Sequence, residues 1–195
     1  KSEDPGQSID FKSLISLGTD DNISLNNALN LPISKNFGIR FSGSYNYSNG
    51  FRKNIYMKKD NSNQRKESFY KMKMNYDFKD INFLSTFIYA DLDNGYDSWA
   101  PDNNKNFETY TDDIGKDSQK TIGGSIRIKK PIYEKILITG ITSLTETDLT
   151  HSYDGDWAND DYWNEKHGFD PIIEGWSYKF FDENFKNRKN LTQEI

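Results

Sequence analysis

In the stretch Phe37-Gly38-Ile39-Arg40-Phe41-Ser42-Gly43-Ser44-Tyr45-Asn46-Tyr47-Ser48, the odd positions hold Phe37, Ile39, Phe41, Gly43, Tyr45 and Tyr47. The even positions hold Gly38, Arg40, Ser42, Ser44, Asn46 and Ser48. Side chains on a β-strand point alternately to opposite faces, so a period of two specifies a strand with one apolar and one polar side. Upstream, Ile23, Leu25, Asn27, Leu29, Leu31 and Ile33 alternate with Ser24, Asn26, Ala28, Asn30 and Pro32, and Ser34-Lys35-Asn36 makes a tight turn between the two runs. Downstream, Tyr70, Met72, Met74, Tyr76 and Phe78 alternate with Lys71, Lys73, Asn75 and Asp77.

Extended along the chain, this pattern predicts an all-β protein: an antiparallel up-and-down meander of seven strands and the start of an eighth. The predicted strands are 9–19, 22–34, 37–49, 67–78, 81–92, 120–130, 135–147 and 188–195. Most are longer than the five or six residues usual in soluble proteins and close to the 9–11 that cross a bilayer when tilted. Two are ambiguous. In 81–92, Phe83, Phe87 and Tyr89 are opposed by Leu84, Ile88 and Leu92, and in 135–147 both parities carry aliphatic residues, so pattern alone does not assign their apolar side.

The connections are lopsided. Ser34–Asn36, Lys79-Asp80 and Pro131–Glu134 read as tight turns, whereas 50–66, 93–119 and 148–187 are long and polar. After one short opening turn at Thr19–Asn22, short and long alternate strictly. In a meander, alternate connections emerge at opposite ends of the sheet. That asymmetry belongs to outer-membrane barrels, with their short periplasmic turns and long external loops, more than to a sandwich.

Composition sets the outer bounds. The 195 residues are 34% hydrophobic, 15% aromatic and 28% charged, with a mean hydropathy of −0.91. Disordered chains are poor in aromatics, so the polar average does not signal disorder. No apolar run approaches the roughly 18 residues of a membrane helix, but a barrel strand needs an apolar residue only at every second position. A net charge of −5 makes the chain a poor general nucleic-acid binder, because phosphate neutralisation drives that affinity. With no cysteine, a disulfide framework, a Cys-ligated zinc site and a cysteine nucleophile are excluded. The first residue is Lys without a leader pattern after it, and the last residues, Leu191–Ile195, read as strand, so a piece of a longer chain is expected.

Several segments in the connections then become recognisable as words. Asp93-Asn94-Gly95-Tyr96-Asp97-Ser98-Trp99 closes one strand, Thr111-Asp112-Asp113-Ile114-Gly115-Lys116-Asp117-Ser118-Gln119 opens the next, and Ser152-Tyr153-Asp154-Gly155-Asp156-Trp157 follows the one after. Asn187–Ile195 enters a further strand, Asn30–Arg40 spans the first short turn, and Asn49–Asn54 begins the loop after it. In this order and spacing, from about residue 9 to residue 195, the chain resembles the early barrel strands of TonB-dependent outer-membrane receptors. The resemblance rests on the collinear order of the words, none of which is diagnostic alone. It implies a bacterial outer-membrane location and a barrel of about 22 strands, of which 1–195 would be one section. It also implies a plug domain and TonB box that these residues do not contain. Implied partners are outer-membrane lipid and lipopolysaccharide, the TonB complex acting through the plug, and an extracellular small molecule or glycan.

The candidate binding residues lie in the long loops: Asp97, Trp99 and Tyr110 in one, and Tyr153, Asp156, Trp157, Tyr162 and Trp163 in the other. Flat aromatic faces stack on sugars or ligand rings, and carboxylates accept hydrogen bonds or capture cations. Trp99 and Trp157, nearest the strand ends, also suit a structural or interfacial role. The bland alternative for each is packing of loop against loop.

Asp91, Asp93, Asn94 and Asp97 superficially follow a calcium loop, but Gly95 comes one place early and the terminal Glu is missing; a turn at Asn94-Gly95 is the simpler expectation. Asp154, Asp156, Asp160 and Asp161 could gather a cation with His151 or His167, yet two histidines without cysteine are a poor zinc set. No metal and no cofactor is expected. Arg52, Lys53, Lys58, Lys59, Arg65 and Lys66 form a basic loop suited to lipopolysaccharide phosphate. Gly123-Gly124 inside a strand suggests a bulge or a close packing point. Nothing in the sequence points to catalysis. Two functions follow: part of an active-transport receptor for a scarce solute (siderophore, cobalamin or oligosaccharide), or a soluble β-sandwich or adhesin-like glycan-binding module.

Overall fold

The computed structural model describes residues 2–177 and 179–195. Its elements in chain order are β1 (Asp10–Leu17), β2 (Ile23–Ser34), β3 (Phe37–Ser48), β4 (Lys53–Asn54), β5 (Arg65–Phe78), β6 (Ile81–Tyr96), β7 (Glu108–Thr109), β8 (Gly115–Tyr133), β9 (Ile136–Asp154), α1 (Asp160–His167), α2 (Pro171–Glu174) and β10 (Phe181–Glu194). Eight strands form one antiparallel sheet in the order β1-β2-β3-β5-β6-β8-β9-β10, a pure meander. The sheet is open: β1 and β10 are its two edges and do not pair with each other. The short parallel pair β4–β7 joins two of the long loops.

Register settles the ambiguous strands. Directly opposed residues share a face, and Tyr70 opposes Tyr89, which opposes Ile122. Phe83, Phe87 and Tyr89 therefore lie with Tyr70, Met72 and Tyr76 on the apolar face, while Leu84, Ile88 and Leu92 lie on the polar one. In β9, Ile138 and Leu144 share the apolar face with Lys130 and Gly124, whereas Leu137 and Ile141 oppose Pro131 and Arg127 on the polar face.

On β5 to β9 the apolar band stops abruptly, whereas on β1 to β3 it continues through Leu25 and Tyr45 to Ile23 and Tyr47. Beyond the row Tyr70–Tyr89–Ile122 the same face carries Ser68, Asp91, Lys120 and Asp148, directly opposed in turn. Charge pairs tie this upper zone together, with Lys116 to Asp93 at 3.2 Å and Lys120 to Asp91 at 3.8 Å. Within the band, side chains stay exposed, as in Ile122 (62%), Leu144 (57%) and Phe87 (48%), because no second layer covers them.

This upper zone is where the strands differ from expectation. β6 runs to Tyr96 and not to 92; β8 begins at Gly115, β9 ends at Asp154 and β10 begins at Phe181. Main-chain ladder bonds are indifferent to side-chain polarity, so charged residues above the apolar band continue the strands. Asn94-Gly95 accordingly makes no turn: both residues pair within the ladder, with Asp117 and Lys116. A Cβ on Gly95 would lie 2.4 Å from the Ser62 carbonyl oxygen, so close backbone approach selects the glycine. Gly123-Gly124 is a close packing point and not a bulge, since pairing to Ile88 and Phe87 is regular and a Cβ on Gly123 would meet Thr145 Cγ2 at 2.6 Å. The expected turn at Pro131–Glu134 moves as well: strand continues to Tyr133 across a register shift between Pro131 and Tyr133.

The turns use residues that tolerate left-handed backbone. Asp20 (φ 58°) and Asp21 (φ 52°) are successive positive-φ residues at the tip of the β1–β2 hairpin. That geometry matches the twist of the flanking strands. Lys79 (φ 55°) does the same between β5 and β6. Short connections β2–β3, β5–β6 and β8–β9 lie at one end of the sheet, and the long loops lie at the other.

Two glycines give a paired test of this packing. An alanine at Gly115 would place its Cβ 2.3 Å from the Tyr96 oxygen and 2.5 Å from the Ser152 oxygen, whereas Gly140 has nothing within 4 Å. Gly115→Ala is expected to lower unfolding stability by roughly 1–3 kcal/mol, and Gly140→Ala to leave it within about 0.5 kcal/mol, as read by denaturant titration.

Candidate functional site

The long loops gather at one end of the sheet around a polar core. Asn54, wholly buried on β4, sits at its centre. Its Nδ2 group donates to Asp97 Oδ2 at 3.1 Å, to Thr111 O at 3.0 Å and to Thr111 Oγ1 at 2.8 Å. Its Oδ1 accepts from the Met57 amide at 2.8 Å. Thr109 Oγ1 also donates to Asp97 Oδ2, at 2.7 Å. Buried polar groups cost free energy unless paired, so this network holds loop 50–64 against loop 97–114. Asp97 Oδ1 is buried with no hydrogen-bond partner among the described residues.

A second knot joins loop 97–114 to the loop after β9. Asp154 Oδ2 accepts from the amides of Asp112 (3.1 Å) and Asp113 (3.5 Å), and its Oδ1 accepts from those of Asp156 and Trp157, both at 3.2 Å. Asp156 accepts from the Ala158 amide at 3.3 Å and the Phe180 amide at 3.1 Å, which fixes the entry to β10. Carboxylate oxygens of Asp112, Asp154 and Asp156 lie within 4.8 Å of one another. Burial, then the Asp154 charge, pushes Asp112 up to about 6. Burial and the neighbouring Asp156 push Asp154 up to about 6 as well, and burial raises Asp156. These three are the residues that could hold a cation. The set differs from the expected one: Asp112 joins it, while Asp160 and Asp161 lie in the first turn of α1, where carboxylates favour the helix dipole. Asp91 and Asp93, paired with Lys120 and Lys116, stand in β6 and form no calcium loop.

Between the knots is a hollow of about 210 Å³ lined by Tyr96, Asp97, Ser98, Trp99, Thr111, His151, Tyr153, Asp154 and Trp157. The Trp99 and Trp157 rings are 4.9 Å apart, tilted by 38°, and both are exposed, at 59% and 39%. Trp157 reaches this position from a left-handed backbone, φ 62°, a conformation that costs a non-glycine residue and persists where the surroundings impose it. Tyr96 meets His151 edge-on at 4.8 Å, with Tyr153 at 6.3 Å from Tyr96. A larger hollow of about 530 Å³ lies on the apolar face, bordered by Leu29, Phe41, Tyr70, Met72 and Phe87; it is sheet surface without convergent polar groups.

Of the eight residues expected to bind, the structure brings Asp97, Trp99, Tyr153 and Trp157 to one hollow. Tyr110, Tyr162 and Trp163 form a separate stack: Tyr110 and Tyr162 at 4.6 Å, and Tyr162 and Trp163 edge-on at 5.3 Å. Tyr110 donates to Asp102 Oδ2 at 2.8 Å, and burial with that carboxylate raises its phenol. Asn159 caps α1 through the Tyr162 amide and also reaches the Tyr110 carbonyl, so this stack seats the helix. Asp156 serves as a backbone acceptor. Sequence reasoning missed Tyr96 and Thr111 at the hollow and named His151 only as a possible cation ligand; the even parity of Tyr96 in a longer β6 could have found the first. The basic residues Lys53, Lys58, Lys59, Arg65 and Lys66 are exposed, and Arg52 lies over the Phe51 ring. No family model matches this chain, and no curated protein or solved structure matches it either.

The Asp112–Asp154–Asp156 knot predicts a pH dependence. A carboxyl whose folded pKa is raised binds more protons folded than unfolded, so its contribution is fully present below its unfolded value near 3.8 and is lost as pH rises through about 6. Hydrogen-exchange protection of 110–114 and 154–158 is expected to be stronger at about pH 5, below the raised values, than at about pH 7.5, above them. Asp112→Asn is expected to raise protection at the higher pH and flatten the profile. The first network gives an independent expectation: Asn54→Ala leaves buried Asp97 short of a donor and costs roughly 1–3 kcal/mol, read as faster exchange across 52–64.

Proposed function

We propose that this chain is a section of the wall of a bacterial outer-membrane transport barrel, of the TonB-dependent receptor type, with the long-loop end as part of the surface that captures an external solute. The observation that carries the reading is the bordered apolar band. From Tyr70 to Phe78 the band covers eight steps along β5, about 27 Å along the strand at ~3.4 Å per residue. At a tilt of about 40° that is about 21 Å along the membrane normal, close to the ~25 Å apolar height of outer-membrane barrels. Aromatics mark both borders, as interfacial girdles do: Tyr45, Tyr47, Tyr70 and Tyr89 at the loop side, and Phe37, Tyr76, Phe78 and Phe83 at the turn side. Short turns at one end, long loops at the other and the collinear words of the resemblance support the same reading.

The loop-end hollow supplies two exposed indole faces beside tyrosines and a buried carboxylate, a set that suits one ring of a glycan or aromatic ligand. At about 210 Å³ it is smaller than the ~300–1,000 Å³ of complete ligand sites, so it serves as one subsite of a larger capture surface. The exposed lysines of 53–66 fit lipopolysaccharide phosphates. A soluble sandwich needs a second sheet on the apolar face; among the described residues the only other sheet is the two-stranded β4–β7 pair in the loops.

The chain contains no cysteine, so single cysteines report cleanly. With the full chain in lipid bilayers, nitroxides at Phe87→Cys and Ile126→Cys are expected to be accessible to oxygen and shielded from a water-soluble nickel chelate. Those at Thr86→Cys and Ser125→Cys should show the reverse. Equal chelate access at all four sites, with a monomer that stays soluble without detergent, would overturn the reading.

A further inference from the structure

Residues Ser2–Ser8 cross the polar face at its short-turn end as a strap. Gly6 exchanges hydrogen bonds with Asn30 of β2, at 2.9 Å and 3.1 Å. Pro5 lies over Gly38 of β3, 3.2 Å from where a Cβ would stand. The strap then delivers its acidic pair to a row of cations drawn from three further positions of the sheet. Glu3 pairs with Arg40 of β3, and Asp4 bridges Lys73 of β5 at 2.8 Å and Arg127 of β8 at 3.4 Å. The Lys73 ammonium also donates to the carbonyl oxygens of Ser2 (3.0 Å) and Glu3 (3.2 Å).

Lys73 is only 8% exposed, and a buried cation without compensation is costly. The strap supplies that compensation from a segment outside the sheet. Beside it is a cavity of about 320 Å³ whose charged lining is Lys12, Arg40, Lys71 and Lys73 against the single carboxylate of Glu3. Lys71 has no carboxylate partner among the described residues: its ammonium lies over the Phe69 ring, 5.2 Å from the centroid, and its contact with Ser2 Oγ, at 3.5 Å, is at the outer limit of a hydrogen bond. An anion carrying two or more charges on adjacent oxygens would satisfy Arg40, Lys71 and Lys73 together, which a single carboxylate does not.

We propose that this cavity is a binding site for a compact polyanion bearing phosphate or carboxylate oxygens, and that in the free chain Glu3 occupies it while Asp4 holds Lys73 from beside it, so that the strap is a latch the anion displaces. The site stands on the polar face at the end opposite the long loops and does not depend on what meets the apolar face.

The test uses the full chain with a nitroxide at Gln7→Cys, an exposed strap position, and pyrophosphate, citrate or sodium chloride at matched ionic strength. Pyrophosphate is expected to bind by calorimetry and to mobilise the label at concentrations where sodium chloride does not. Citrate acting equally assigns the site to polyanions at large, and citrate failing assigns it to phosphates. Lys71→Gln, at a half-buried position that touches only Ser2 Oγ and the Phe69 ring among the described residues, is expected to weaken pyrophosphate about tenfold while leaving far-ultraviolet circular dichroism unchanged. Glu3→Gln combined with Asp4→Asn is expected to tighten it several-fold, because the competing occupant is removed. Mobilisation by sodium chloride alone, no pyrophosphate binding, an unchanged affinity in Lys71→Gln, or no tightening in the double variant would each overturn the proposal.

Discussion

The continuous antiparallel ladder from β1 to β10 is the constraint on which everything else depends, because it makes a single layer. A strand in a globular domain satisfies its backbone sideways and its side chains through a second layer. Here only the first requirement is met by the protein. Among the described residues, the buried hydrophobics are Leu84, Ala100, Ala158 and Tyr162, and three of those four lie in the loops. The strands are fixed by hydrogen bonds and by the alternation that gives each a side; the free energy of covering Phe41, Phe87, Ile122 and Leu144 has to come from whatever meets that face.

The loop end solves the opposite problem. It buries few apolar residues, Ala100, Ala158 and Tyr162 among those described, and is organised around buried polar groups: Asn54, Asp97, Thr109, Thr111, Ser152, Asp154, Asp156 and Asn159. Local turns such as the Asp156 and Trp157 amides on Asp154 are combined with bonds between residues far apart in sequence, as when Asn54 reaches Thr111 or Asp154 receives the Asp112 amide. Such a core is specific and brittle, since a half-satisfied polar network is worse than none. It also explains why the indoles of Trp99 and Trp157 can remain exposed: the loops do not need them as packing.

The fold was legible because alternation is local. A period of two over Phe37–Ser48 identifies strand and face from neighbours alone, and the meander follows from turn lengths. Strand ends were not legible for a related reason. Hydropathy marks where the apolar band stops on β5 to β9, and the ladder runs past it on the cross-strand charge pairs Asp93–Lys116 and Asp91–Lys120. Asn94-Gly95, a turn signal by composition, is a strand segment because Ser62 of a distant loop needs the space beside Gly95. The site was half legible. Aromatic and acidic loop residues could be named, but which of them converge depends on long-range bonds: Asp154 draws in Asp112 and not Asp160, and Asn159 diverts Tyr110 and Tyr162 into seating a helix.

An apolar face, when it meets lipid as proposed, places a strict demand on the edges. Outward backbone groups of β1 and β10 are unpaired, and each unsatisfied group in hydrocarbon costs several kcal/mol. Edge strands in soluble proteins are blunted by charge, bulges or covering elements. Lys186, Arg188 and Lys189 charge the upper part of β10, but Phe11, Ile15 and Leu17 leave β1 apolar along the face that carries the band. Eight strands are enough for a small closed barrel, yet in this sheet β1 and β10 stand as separate edges. A unit that sits in a membrane with this sheet in it must pair both edges, with each other or with further strands, and the polar face, with its cation row and strap, then becomes the lining of an enclosed interior.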